Sequence, residues 1–273
     1  MDNKYGVIYV ALGPAYAIMA MVSINSIRIY SDVPISIIID KSTADIVKLP
    51  KLDNVIIIDN CIEENRLIKS KIYDLSPYEN TLYVDCDTII KANIIDCFDY
   101  LEYFDIAVKQ RQKAFPASGK GALKIFNGNK IVANQPHWNS GVIAFKKNSK
   151  TKKMFNHWSY LQKNLNYEFD QPALAQAVIQ SDLRVVSLED KWNYQDARAI
   201  YFQAGIIIHY SSNLNFRIRY MLKNAEKKYC LASSIFIDTF IKKKLEYRRK
   251  KDGLFRYYKR NMRWFLDEYI FYR

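Results

Sequence analysis

The sequence predicts an α/β fold with a mostly parallel central sheet, helices on its faces and a basic helical extension at the C-terminus. Three observations carry that expectation. Apolar runs of strand length, Gly6 to Leu12, Ile35 to Asp40 and Asn54 to Asp59, alternate with segments of helical composition, and the second and third end in an acid. A further run, Thr81-Leu82-Tyr83-Val84, ends in Asp85-Cys86-Asp87 and so joins a strand buried on both faces to two carboxylates one residue apart. The formal charge of +13 is concentrated late: residues 242–273 hold twelve basic and four acidic residues, +8 of the total.

A chain of this length buries about 75% of its unfolded surface, enough for one sizeable core without a staple. Cys61, Cys86, Cys97 and Cys230 are widely spaced and form no Cys-x-x-Cys, which argues against a zinc cage or a disulfide framework. A reducing, cytoplasmic setting is expected. Tyr5 to Ile27 carries no charge, but Gly13-Pro14 breaks the run, and Lys4 against Asp2 makes a poor signal-peptide start. The better reading is strand, turn, helix.

In order, Gly6 to Leu12 opens as a buried strand, and Ala15 to about Tyr30 follows as a helix. No Gly-x-Gly-x-x-Gly or P-loop pattern follows the first strand, which argues against a dinucleotide Rossmann domain and a P-loop. Asn60 to Tyr73 reads as a helix capped by Asp59 or Asn60, with Ile68, Ile72 and Leu75 as its apolar stripe. Arg66, Lys69 and Lys71 then fall on more polar faces, where they are either solvated or close to the acids that follow. Asp85 falls at a strand's C-terminal end, where α/β sheets gather ligands. Asp87 shares its side in extended backbone while Cys86 turns away. Two converging carboxylates call for a cation between them, and hard oxygen ligands favour Mg²⁺ or Mn²⁺. Asn93 to Phe104 reads as a helix and Asp105 to Val108 as a strand. Lys109 to Gln135 is a long loop suited to covering a site. Trp138 to Phe145 is a strand in which Gly141 allows either close ligand approach or a bulge. Ser149 to Leu165 is a helix, and another starts with Asp170 as cap candidate and Pro172 in its first turn. Val185 to Leu188 and Ile206 to Tyr210 are late strands, the second with His209 near its end.

These motifs in this order resemble the GT-A nucleotide-sugar glycosyltransferases, and in layout glycosyltransferase family 8 with related bacterial and phage transferases. The residues carrying the resemblance are Lys71, Ser76-Pro77-Tyr78, Thr81 to Thr88, Phe104 to Ala107, Asn139 to Ile143, Asp170 to Leu174 and Ile208-His209-Tyr210. It implies a GT-A domain over residues 1–215, with residues 216–273 as a separate helical, basic and aromatic extension. It further implies that Asp85 and Asp87 bind the metal and the nucleotide, with Cys86 between them, and that His209 completes the metal site. Leu12, Gly13 and Tyr16 would hold the base, with Tyr16 stacking on uracil, and Asn139, Ser140 and Gly141 would line the sugar side. Asp170 and Gln171 would sit beside the transferred sugar as the catalytic pair. Family 8 members often follow the His with Gly-x-Lys-Pro-Trp, whereas this chain has Tyr210-Ser211-Ser212-Asn213-Leu214-Asn215. The diphosphate contact of that lysine must then come from Lys69, Lys71, the Lys109 to Lys130 loop or Lys223.

The activity implied is metal-dependent transfer of a hexose or related sugar, most simply from a UDP-sugar, to a hydroxyl of a glycan or lipid-linked acceptor. If the reaction inverts, a carboxylate must also serve as base; if it retains, Gln171 or the leaving phosphate guides attack on the same face. Two other readings compete: a nucleotidyltransferase that makes a nucleotide-sugar, for which Gly13-Pro14-Ala15-Tyr16 is a poor phosphate loop, and an inactive core carrying a membrane- or nucleic-acid-binding module. In the tail, Leu254, Tyr258, Met262, Phe265 and Tyr269 share one helical face, opposite Arg256, Arg260 and Arg263. That pattern suits an anionic membrane surface on its cytoplasmic side, or a helix docked on the domain. Nucleic acid is not favoured as a partner, because no recognised motif accompanies the charge.

Overall fold

The computed structural model describes residues 4–45, 52–59, 65–111, 136–165, 167, 169–195, 205–210 and 221. The chain divides into two units, Met1–Ala225 and Glu226–Arg273, and all described residues belong to the first. The expected basic helix, the Asn60 cap, Lys223 and residues 112–135 of the expected loop lie outside the described residues.

The charge-free N-terminal run becomes β1 (Tyr5–Val10) and α1 (Pro14–Arg28). Pro14 opens the helix, where its missing N–H costs nothing, and Gly13 before it has φ 88°, a conformation that disfavours any side chain. The helix is apolar nearly all round because it is buried nearly all round, from Ala15 to Ile27. Among the described residues no helix is long and apolar enough to cross a membrane.

The apolar runs that end in acids become β2 (Ile35–Asp40) and β3 (Asn54–Ile58), with the one-turn helix α2 (Lys41–Ala44) after β2. Where it is described, from Asn65 on, the helix expected over Asn60 to Tyr73 is two short ones, α3 (Asn65–Lys69) and α4 (Ile72–Leu75), broken at Ser70 and Lys71. The break lets Ile68 and Ile72 stay buried while Lys69 turns inward as well, so its expected place on a polar face is corrected. Next come β4 (Asn80–Val84) and β5 (Thr88–Ile90), separated by the Asp85 to Asp87 turn. The helix expected over Asn93 to Phe104 is a 3-10 turn, Ile95–Phe98, followed by α5 (Tyr100–Tyr103). The remaining strands are β6 (Ile106–Gln110), β7 (Trp138–Lys146), β8 (Val185–Val186) and β9 (Ile207–His209). Between β7 and β8 lie α6 (Ser149–Asn164) and α7 (Asp170–Ile179).

The main sheet runs β3-β2-β1-β4-β7-β6-β8. Only β7 opposes its neighbours; every other pairing is parallel. This is a mixed α/β fold with a mostly parallel sheet flanked by helices, as the alternating pattern predicts. The reversal of β7 has a consequence for the site. Its N-terminal residues, Asn139 to Gly141, lie at the same edge as the C-terminal end of β4, with Val84 opposite Val142 and the Asp85 amide donating to the Gly141 carbonyl at 2.8 Å.

One core packs β1, β4, β6 and β7 against α6 and α7 through Ile8, Tyr83, Phe145, Phe155, Trp158 and Leu174. Trp158 is fully buried and its indole N–H donates to the Asp170 carbonyl at 3.0 Å, so core packing also seats the start of α7. On the other face, Ser23 of α1 bonds both Tyr9 and Thr88 at 2.8 Å, and Ser26 accepts from the Ile90 amide at 2.9 Å. Those bonds fix β5, and β5 in turn pairs antiparallel with β9 so that Thr88 lies opposite His209.

Candidate active site

Asp85 and Asp87 sit on a turn that is held from within. The Thr88 hydroxyl donates to the Asp85 carbonyl at 2.9 Å, the Cys86 thiol donates to the Val10 carbonyl at 3.1 Å, and the Tyr210 amide donates to the Asp87 carbonyl at 2.9 Å. Cys86 is therefore directed towards β1, as the alternation predicts, and burial with the two flanking acids pushes its thiol pKa well up. An inert thiol follows. The Asp carboxylates are left facing His209: its Nε2 is 3.3 Å from Asp87 Oδ1 and 3.7 Å from Asp85 Oδ2. Burial of the ring would lower its pKa, but Asp87 and then Asp85 outweigh burial and hold it above the ordinary value. One ligand atom from each of Asp85, Asp87 and His209 lies within 4.8 Å of the others. Two carboxylates and an imidazole nitrogen are a donor set that fits Mn²⁺ or Mg²⁺.

Lys69 is the second centre. Its ammonium lies 2.9 Å from Asp85 Oδ1, 3.2 Å from Asp170 Oδ2 and 3.0 Å from the Ser140 hydroxyl, with its side chain 9% exposed. Desolvation would lower its pKa, yet Asp170 and Asp85 raise it, so it stays charged. Asp170 is not the cap of α7: Phe169 holds that position in extended backbone without a side-chain bond, and Asp170 stands in the first turn. Its carboxylate accepts from Ser140 at 2.6 Å as well as from Lys69. Burial would push it towards the neutral acid, but Lys69 and Ser140 hold its pKa below the usual carboxylate range. The Tyr83 hydroxyl donates to Asp85 Oδ1 at 2.5 Å, and burial together with Asp85 keeps it a phenol.

A small open cleft lies over these groups, lined by Val10, Tyr16, Arg66, Lys69, Tyr83, Asp85, Cys86, Asp87 and Asp170. At its β1 side, Tyr16 is half-buried and reaches the lining, whereas Leu12 is buried in the core and Gly13 is held by its amide donating to Asp40 Oδ2 at 2.7 Å. Lys71 and Gln171 are not among the lining residues; the Gln171 side-chain Oε1 instead accepts from Arg111. Ser140 takes part through Lys69 and Asp170. Asn139 turns to a set of amides behind His209, and Gly141 makes room for that ring, because a Cβ there would overlap His209 Cε1 and Nδ1. The glycine thus makes room for a side chain, and it marks no bulge, because the irregularity in this ladder lies between Val108 and Gln110 of β6.

Tyr83, Asn193 and Gln195 are the partners that sequence reading passes over. Tyr83 is two residues from Asp85 on a strand and shares its face, a signal present in the sequence. Asn193 and Gln195 have the same spacing, but nothing local says that the intervening Tyr194 bridges to Ile208 and so brings both amides to His209.

The stretch holding β4, Asp85 to Asp87, β7, Asp170 and His209 is also where the chain matches a known family. The nucleotide-diphospho-sugar transferase family matches residues 79–224, more than half of the chain. The chain belongs to that family. Solved structures agree on the fold of this transferase. It is similar to mouse xyloside xylosyltransferase 1, with a TM-score of 0.53 at 12% identity over 77% of this chain and 99% of that one. It is similar to the bifunctional glycosyltransferase WbbM, with a TM-score of 0.57 at 16% identity over 83% of this chain and 50% of that one, so it spans half of WbbM's length. The galactosyltransferase LgtC, solved with donor and acceptor sugar analogues, gives a TM-score of 0.53 at 12% identity over 82% of this chain and 96% of that one. At such identities the likeness is one of fold, the GT-A fold. No curated protein sequence matches. The transferase is an enzyme of the glycosyltransferase class.

Proposed function

We propose that this glycosyltransferase moves a sugar from a UDP-sugar to an acceptor hydroxyl with Mn²⁺ or Mg²⁺ held by Asp85, Asp87 and His209. The observation that carries the reading is the convergence of those three side chains, two of which, Asp85 and Asp87, line the cleft beside Lys69. A divalent ion at that donor set supplies Lewis-acid neutralisation of the diphosphate charge. The chain's own residues prepare the rest. Lys69 keeps a positive charge in a largely desolvated position, where it acts strongly on a departing phosphate oxygen. Asp170 stays ionised through Lys69 and Ser140, and an ionised carboxylate near the anomeric carbon stabilises its oxocarbenium character. Arg66 lines the same cleft and, with Lys69, is a candidate for the diphosphate contact that the segment after His209 does not offer. Tyr16 is the candidate for stacking on the base. Family 8 layout is part of this reading, with the departure after His209.

Turnover of a panel of UDP-sugars with and without Mn²⁺ tests it. Removal of one charge-stabilising group of this kind costs about 10²- to 10³-fold in rate, and that loss is expected for Asp87→Ala. Turnover that ignores both Mn²⁺ and Asp87→Ala would remove the metal role while leaving the family intact.

The basic and aromatic segment 242–273 supports a cytoplasmic enzyme that meets an anionic membrane, with a lipid-linked or nascent surface glycan as acceptor. Truncation after Phe240 is expected to weaken binding to anionic vesicles; equal binding by the truncated and full chains ends that reading.

A further inference from the structure

Outside the tail, the chain's excess of positive charge is gathered on one helix. Residues 242–273 account for +8 of the formal +13, which leaves +5 for the first 241 residues. Lys150, Lys152, Lys153 and Lys163 of α6 supply +4, and the helix holds no acid. Its inner side is a normal core face, with Met154, Phe155, Trp158 and Leu161 buried. The outer side is unusual. At 100° per residue Tyr160 lies at its middle, with Lys153 about 20° away, Lys163 about 60° away in the other direction, and Lys150 and Lys152 about 80° away on opposite flanks.

Tyr160 is 57% exposed, yet it is held: the His157 ring stacks on it with centroids 6.1 Å apart, and His157 Nε2 lies 2.7 Å from Gln180 Oε1. Lys152, Lys153 and Lys163 are exposed and, among the described residues, pair with no acid. Lys150 donates to the Asp182 carbonyl at 3.2 Å. A helix face whose charges serve only solubility intersperses acids with its lysines, because like charges three or four residues apart repel. Topology also places this face. β7 runs away from the cleft edge to Lys146, opposite Asn80, and α6, capped by Asn148, returns. Trp158 reaches the Asp170 carbonyl at 3.0 Å, so the last turns, with Tyr160 and Lys163, lie towards the cleft edge.

We propose that the outer face of α6 docks on an anionic phospholipid bilayer, with Tyr160 entering the headgroup layer and the surrounding lysines meeting anionic headgroups. Cations of one sign around an exposed aromatic match such an interface, where the ring is half in apolar and half in wet surroundings. A nucleic acid would attract the lysines too, but no recognised motif accompanies them. The choice of lipid rests on the membrane reading of residues 242–273; the surface itself is independent of that segment. A bilayer on this face lies near the cleft edge, where a lipid-carried acceptor hydroxyl has to arrive.

The test is co-sedimentation of the full chain with vesicles of phosphatidylcholine alone and of phosphatidylcholine with about one third phosphatidylserine. A lysine near an anionic surface is worth about fivefold in partitioning, so the triple variant Lys152→Gln, Lys153→Gln, Lys163→Gln is expected to bind the anionic vesicles about 100-fold more weakly, with its melting curve unchanged. The control triple Lys4→Gln, Lys41→Gln, Lys91→Gln removes the same charge elsewhere and is expected to lose less than about tenfold. Tyr160→Ser should lose about fivefold and Tyr160→Trp should recover it. Equal losses in the two triples would mean attraction by net charge alone and overturn the proposal, as would an α6 triple that binds like the wild type. If truncation after Phe240 abolishes binding while the α6 triple has no effect, the tail reading stands and this one fails. Wild-type chain that ignores both vesicles but binds a duplex oligonucleotide, and loses it in the α6 triple, gives the face to nucleic acid and overturns the proposal.

Discussion

Asp40 and Asp85 stand at equivalent places on either side of β1, each ending or following a parallel strand of apolar residues, and they do opposite work. Asp40 is fully buried and its carboxylate is filled by uncharged donors: the Gly13 amide at 2.7 Å, the Thr43 amide at 3.0 Å and the Ser42 hydroxyl at 2.6 Å. Burial would raise its pKa, and those bonds outweigh it and lower it. Two of its three partners lie within three residues, because it caps α2, and the third pins the turn before α1. Asp85 takes its partners from α3, β4 and β9, and two of those, Lys69 and His209, can carry positive charge. A carboxylate saturated by neutral donors is finished as structure. One that shares a cation with Asp170 and faces another acid is poised to exchange that cation for a ligand.

Four changes would break or sharpen this contrast. The largest effect is expected for Lys69→Met, which leaves Asp85 and Asp170 without their common cation. Losing one partner of a buried ion pair costs about 3–5 kcal/mol, and the double variant Lys69→Met with Asp170→Asn should recover part of it in urea melts. Additive losses would mean that the two acids do not share the lysine energetically. Next comes Gly141→Ala, whose Cβ must displace the His209 ring. Mn²⁺ affinity by calorimetry should drop about tenfold or more with the fold retained, and an unchanged affinity would take His209 out of the metal set.

A smaller change is expected for Asp40→Asn, which keeps one acceptor oxygen and places N–H donors opposite the Gly13 amide or the Thr43 side. It should cost about 1–2 kcal/mol in stability while leaving the dependence on Mn²⁺ unaltered. A lost Mn²⁺ dependence would erase the difference between the two strand ends. The smallest effect is the acid limb of stability. The pKa values of Asp40 and Asp170 are lowered in the folded chain, so their stabilisation is complete above the unfolded value of about 3.9 and fades as pH falls through the lower folded values. Melting temperature should therefore decline mainly below about pH 4, and Asp170→Asn should make that decline shallower. A decline centred near neutrality would point to another group.

The strand ends also show how much could be read in advance. The strands β1 to β4, β6 and β7 and the helices α1 and α6 follow from apolar runs, Pro14 and the breaks between them, since those signals are local. The Asp-x-Asp motif and the inward direction of Cys86 were legible for the same reason, although the extended backbone expected through Asp87 is in fact a turn at Cys86 and Asp87. The single helix expected over Asn60 to Tyr73 was not, because its apolar stripe is compatible with the break at Ser70 and Lys71 that points Lys69 into the site. The cap role that the sequence offered for Asp170 as the alternative to catalysis fails for a related reason. Asp before Pro172 has the composition of a helix start, and only Lys69 and Ser140, distant in sequence, draw its carboxylate elsewhere.

By itself the sequence determined the α/β class, the Asp-x-Asp motif at the end of a buried strand, and the order in which Asn139, Asp170 and His209 follow it, because hydrophobic period acts over a few residues. The tertiary structure decided which groups meet. Antiparallel β7 brings Asn139 to Gly141 back to the end of β4, and the β5–β9 pairing sets His209 opposite Thr88. Those are long-range registers, fixed by packing and by the need to pair every buried polar group, and no local pattern encodes them. The same need made Asp40 a cap and Asp85 a centre of charge, although the runs before them look alike.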